Sequence, residues 1–195
     1  MKRLIHLGFA ALAGFAAFAL WAQAPQSTCN KCSASYIPKS EIEAYLARAK
    51  ANSITDQQVR ALDVGKAHAD VGVVYRGKLT PERSNAAEHD HVSEVYYIID
   101  GEATLETGWD IVNWKRREPG NNAVANLNGP GGDGVGIRNP QVHQLKAGDS
   151  IIIPAGVGHK FTKIDDHIRY LMVRVDPEKV TPLKSEAASK SDIGK

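Results

Sequence analysis

From about Gln58 onward the chain breaks into short runs rich in β-branched residues, and most of the runs end at a glycine or aspartate turn. Val59, Leu62 and Val64, then Val71 to Tyr75, Glu94 to Asp100, Ala103 to Glu106, Ser150 to Ile153, His159 to Lys163 and Ile168 to Val175 read as strands. Turn signals fall at Asp100-Gly101, Ala147-Gly148-Asp149, Pro154-Ala155-Gly156 and Asp165-Asp166. Short strands of this kind bury their apolar faces by packing sheet on sheet or by closing on themselves. The pattern therefore predicts an all-β antiparallel sandwich or barrel over residues 58–178.

The flanks differ. Lys2 and Arg3 precede an apolar run from Leu4 to Trp21, and Ala22-Gln23-Ala24 follows it. That order predicts a signal peptide over residues 1–24, export to a periplasm or the cell exterior, and no stable membrane anchor. The alternative is an uncleaved anchor, since the run is nearly long enough to span. Residues 25–57 form an arm followed by a helix from about Glu41 to Ala51. Ser40-Glu41-Ile42-Glu43 has capping-box spacing there, and Ile42, Tyr45 and Leu46 share one face. Residues 179–195 are polar and are expected to be a disordered tail. The stretch from Gly129 to Gly136 is rich in glycine. It lacks a phosphate-loop motif and is either a plain surface loop or a lid at a barrel mouth.

Charge narrows the partners. The chain has 24 basic and 22 acidic residues, and two of the basic ones, Lys2 and Arg3, belong to the leader. The remainder is neutral, which argues against nucleic acid or an anionic membrane as partner. The two cysteines, Cys29 and Cys32, are spaced C-x-x-C. Ser33 stands where haem attachment needs His, and no βαβ pattern follows. In an oxidising compartment the pair reads as a local disulfide, with half of a zinc site as the alternative.

The residues that carry chemistry are histidines and one carboxylate. His89-Asp90-His91 puts two imidazoles on one face of a regular strand. Glu94 follows, with Gly101 seven positions beyond it. Downstream, Gly148, Pro154, Gly156 and His159 spell G-x5-P-x-G-x2-H. These two motifs, over roughly residues 70 to 176, resemble those of the cupin superfamily. The first family motif has three or four residues between H-x-H and E-x6-G, whereas two separate His91 from Glu94 here. Strict alternation from His89 and His91 turns Glu94 outward, so it reaches a metal only if Val92-Ser93 resets the phase. Without that reset three histidines remain. Histidines held by hydrogen bonds alone, with no metal, are the bland alternative.

The resemblance implies a cupin jelly-roll β-barrel (a double-stranded β-helix) carrying a short N-terminal helix, with a divalent metal on His89, His91, Glu94 and His159. The donor set favours Fe, Mn or Ni, with Zn also compatible. Tyr96, Phe161 and Lys163 are candidate pocket residues, the last two because they share a strand face with His159 if the strand is regular. Family members often have Asn in place of Lys163. His68, His143 and His167 lie outside both motifs and are expected to be surface or hydrogen-bonded. The resemblance further implies a homodimer. The expected function is a metal-dependent enzyme of dioxygenase or lyase type acting on a small oxygenated molecule, or else a non-catalytic periplasmic cupin that binds a small ligand or metal.

Overall fold

The computed structural model describes residues 27–193 except 30, 31, 81 and 83, so the signal peptide expected over 1–24 lies outside the described residues. The first element is a helix, α1 (Lys39–Asn52). It starts earlier than its capping-box pattern predicts. Pro38, not Ser40, precedes the first turn, and the Glu41 amide bonds to the Pro38 carbonyl at 3.0 Å. Glu41 is turned inward instead, to pair with the buried Arg60 at 3.1 Å. Tyr45 and Leu46 on the inner face of α1 pack on Val59 and Val73, so the helix lies against the outside of the barrel.

Among the described residues eleven strands follow: β1 (Asp56–Asp63), β2 (His68–Leu79), β3 (Ala86–His89), β4 (Ser93–Gly108), β5 (Ile111–Val112), β6 (Lys115–Arg116), β7 (Gly131–Gly134), β8 (Gly136–Ile137), β9 (Gln141–Lys146), β10 (Ser150–Ile153) and β11 (Gly158–Asp176). Two are long. The first half of β4 pairs with β10 and with the second half of β11, which in turn pairs with β2 and then β1. The second half of β4 pairs with β9 and with the first half of β11, and β3, β7 and β6 continue that layer. The long strands therefore pass from one antiparallel layer to the other, which makes a double-stranded β-helix barrel.

The turns predicted at Asp100-Gly101 and Asp165-Asp166 are the corners of this crossing, not chain reversals. Register slips there by a bulge between Lys163 and Ile168. Gly101 is required at the corner. Its φ is +77°, and a Cβ would lie 2.1 Å from the His167 carbonyl oxygen. Between the layers sits an apolar core that includes Tyr96, Ile98, Leu105, Phe161, Tyr170 and Met172.

The C-terminal segment is not a disordered tail. Ala61 and Lys184 exchange backbone bonds of 3.1 and 3.0 Å, and a second helix, α2 (Glu186–Ile193), docks on α1. The Tyr45 hydroxyl donates to the Ser189 carbonyl at 3.1 Å, and the Ser189 hydroxyl donates to Glu41 at 2.7 Å. Buried polar pairing offsets the low hydrophobicity that made this segment read as unstructured. Cys29 and Cys32 are joined as a disulfide.

Candidate metal centre

His89 ends β3, Glu94 is the second residue of β4, and His159 is the second residue of β11. One nitrogen from each imidazole and one Glu94 oxygen lie within 4.8 Å of one another. His89 Nε2 is 3.5 Å from Glu94 Oε1, and His159 Nε2 is 3.7 Å from Glu94 Oε2. Both histidines come from one layer of the barrel and the carboxylate from the other, so the trio clamps the gap between the sheets.

His91 does not join them. Residues 90–92 leave the ladder as a bend, with His91 exposed at its tip and Val92 turned into the core. The ends of the bend are fixed by the second motif. Gly156 donates its amide to the His89 carbonyl at 2.7 Å, and Ala155 donates to Ser93 Oγ at 3.1 Å. This bend is the phase reset that the short gap required. It brings Glu94 inward in step with Tyr96 and Ile98, and it costs the second histidine of H-x-H its place.

Of the candidate pocket residues, Tyr96 faces the centre: its hydroxyl donates to Glu94 Oε2 at 2.7 Å. Phe161 is core, packed beside the Tyr96 and Tyr170 rings. Lys163 does not face the centre. A register slip between Phe161 and Lys163 turns its side chain outward, where it is 63 % exposed and pairs with Asp165 at 2.9 Å. His68, His143 and His167 each make hydrogen bonds elsewhere, to the Thr181 carbonyl, the Thr107 hydroxyl, and Asp166 and Asp100.

Three further residues support the trio. Asn128, from the segment before the glycines, sends Nδ2 to Glu94 Oε1 at 2.7 Å and to His89 Nε2 at 3.0 Å. Arg174 is wholly buried, with Nε 3.5 Å from Glu94 Oε1 and its other nitrogens on Asp56 and Gln58. Arg117 bonds to Asp133 at 2.7 Å and to the Glu88 carbonyl at 3.1 Å, next to His89. Arg174 had a readable signal: counting by twos from Ile168 places a cation at a core-facing position. Asn128 had none, since Asn-Gly there reads only as a turn.

The electrostatics suit a cation. Burial holds the His89 imidazole down at about 3, against the pull of Glu94, so it is neutral at ordinary pH. Burial alone would raise Glu94, but His89, His159, Arg174 and the Tyr96 hydroxyl bring it down to about 2. A neutral imidazole and an ionised carboxylate are the forms that bind metal. Bonds of about 2.1 Å set neighbouring donors about 3–3.5 Å apart on one ion. The trio is slightly wider than that, so small side-chain movements suffice to close it, and the residues fit a divalent metal.

No family model matches the chain, and no curated protein does. Among solved structures, the chain is similar to a protein of Bacillus halodurans at 15% identity, with 81% of this chain and 95% of that one covered and a TM-score of 0.43. It is similar to the EutQ protein of Clostridium difficile at 17% identity, covering 63% and 68% of the two chains, TM-score 0.36. An RmlC-like cupin family protein of Methanocaldococcus jannaschii with a double-stranded β-helix fold is similar at 13% identity, covering 65% and 85%, TM-score 0.37. Likenesses this distant say nothing about activity.

Proposed function

We propose that this chain is an exported barrel that binds one divalent metal ion through His89, Glu94 and His159, and that the ion is the centre of an enzyme acting on a small oxygenated molecule. The supporting observation is the donor set. Two imidazoles and one carboxylate converge within 4.8 Å. Such a set leaves coordination positions open for a substrate's oxygen atoms or for dioxygen and suits Fe(II), Mn(II) or Ni(II), with Zn(II) also compatible. Dioxygenase and lyase chemistry are the concrete forms proposed. When bound, the ion supplies Lewis-acid or oxygen-activating chemistry. The chain's own part is to hold His89 neutral, keep Glu94 ionised and fix its orientation through the Tyr96 hydroxyl.

A specific observation favours a second reading, a non-catalytic metal or small-ligand binder. His89, Glu94 and His159 are only 7, 1 and 8% exposed, and the barrel behind them is filled by aromatic side chains. Metal analysis of protein recovered from the periplasm, followed by oxygen-uptake and elimination assays over a panel of phenols and organic acids, separates the two. Turnover that follows metal content supports the enzyme. One bound ion per chain with no turnover supports the binder, and no bound ion overturns the enzyme and the metal binder alike, leaving only a small-ligand barrel.

The proposed assembly is a homodimer. Ile152, Val95, Val173 and Val71 stand side by side across four strands on the outer surface, with Ile152 70% and Val173 37% exposed. An apolar row of this kind suits a two-fold contact. Light scattering at micromolar concentration should give twice the chain mass, and Val173→Asp with Ile152→Asp should halve it. A wild-type monomer would rule out the dimer.

A further inference from the structure

Resting on the metal reading above, we infer that Asn128 is the fourth protein ligand of the ion, bound through its side-chain carbonyl oxygen, in the role that His91 cannot fill. The terminal amide atom of Asn128 lies 2.7 Å from Glu94 Oε1 and 3.0 Å from His89 Nε2. Those are close to the separations of about 3–3.5 Å between neighbouring donors on a single ion. Asn128 is 4% exposed and is aimed between the two sheets, so its amide has no solvent to turn to.

The chain holds Asn128 there by a ladder. β7 pairs with β3 so that Gly131 stands opposite His89 and Gly132 opposite Glu88. Asp90 donates its amide to the Pro130 carbonyl at 2.9 Å, extending the pairing one step. Asn128 is three residues upstream of Gly131, at the end of a π-helical turn over Ala123–Asn128. Such turns recur at functional sites. Side-chain room is absent at Gly131, where a Cβ would meet the Glu88 carbonyl at 2.3 Å. The glycine-rich stretch is therefore neither a plain surface loop nor a lid. It is the strand that brings Asn128 against the two motifs.

The chemistry selects oxygen over nitrogen. Without an ion, an NH2 group between a carboxylate and an imidazole lone pair satisfies both. With a cation in place those lone pairs point at the ion, and an amide nitrogen has no lone pair to add. A half-turn about χ2 puts Oδ1 where Nδ2 was. The resulting set of two imidazoles, one carboxylate and one carbonyl still leaves two positions of an octahedral ion free, and its oxygens favour Mn(II) or Fe(II).

The test measures binding of Mn(II) and Co(II) to the full-length mature chain by competition with a chromophoric chelator, along with the Co(II) visible spectrum. Asn128→Ala should weaken binding at least about tenfold and change the Co(II) spectrum. Asn128→Asp should bind as tightly as wild type or tighter, because an oxygen ligand is kept and a charge is added. His91→Ala should match wild type in both readouts. Apo melting curves of the variants check that each is folded. If Asn128→Asp binds more weakly than Asn128→Ala, Asn128 is a hydrogen-bond donor to Glu94 and the inference fails. It also fails if Asn128→Ala binds as well as or better than wild type, or if His91→Ala loses the metal. A wild-type chain that binds neither ion overturns the metal reading itself, a result distinct from the others.

Discussion

Arg174→Met removes the cation around which the polar end of the barrel is built. Arg174 is 0% exposed and lies among Asp56, Glu94 and Asp70, whose charges raise its already high pKa. Met keeps most of the volume, so the loss is electrostatic. Asp56 and Asp70 are both pushed up by burial even with Arg174 present, which shows how little else offsets their charge. Breaking a buried pair from one side costs about 3–5 kcal/mol. For a domain of this size that is a fall in Tm of about 6–20 °C. The assay is thermal unfolding by circular dichroism in chelator, so that metal binding does not contribute. The loss should shrink toward pH 4, because the orphaned carboxylates then take up protons. Asp56→Leu added to Arg174→Met should recover part of the stability. A fall of less than about 1 kcal/mol at pH 7 would refute the reasoning, because it would mean the carboxylates were solvated or already protonated beside the guanidinium.

Metal-free protein should lose stability as pH falls. His89 is held at about 3 against an ordinary 6.5, so from 6.5 downward the unfolded chain takes up a proton that the folded one refuses. Glu94, at about 2 against an ordinary 4.5, loses its contribution between those values, so both effects have the same sign. Denaturant titrations should show the decline setting in near pH 6.5, on the order of a few kcal/mol in all, and His89→Gln should flatten its upper part; a flat wild-type profile from pH 7 to 4 would contradict this. Gly132→Ala places a Cβ 2.2 Å from the Trp114 ring, so it should destabilise the fold by about 1–3 kcal/mol and shift tryptophan fluorescence; an unchanged melt would show that the indole moves aside freely. Replacing Cys29 and Cys32 with serine opens a disulfide of sequence separation 3 and should cost no more than about 2 kcal/mol, while thiol titration of unreduced wild type should read near zero. N-terminal sequencing of exported protein should find a start between Gln23 and Pro25; an intact Met1 on membrane-bound protein would end the leader reading.

The barrel was legible in the chain because its causes are local. Period-two alternation with glycine at forced corners specifies strands whatever surrounds them, and Gly101 shows why the corner glycine is needed. His89, Glu94 and His159 were legible through the resemblance, because its two motifs set their offsets from the corner glycines. Local spacing could not settle which way a side chain points after a break in the ladder. Alternation puts His91 beside His89, yet the bend over residues 90–92, pinned at its ends by the Gly156 and Ala155 amides of the second motif, turns His91 to solvent and Glu94 inward. A slip of one residue likewise turned Lys163 outward. Asn128, Arg174 and the docked α2 belong to the same class. Each owes its position to partners far away in sequence, Asn128 to a residue 39 positions distant and Tyr45 with Ser189 to a separation of 144. Alternation and turn chemistry act between neighbours and can be read from the chain. Strand pairing and the burial of charge depend on what the rest of the chain brings to the same place, and only the folded barrel determines that.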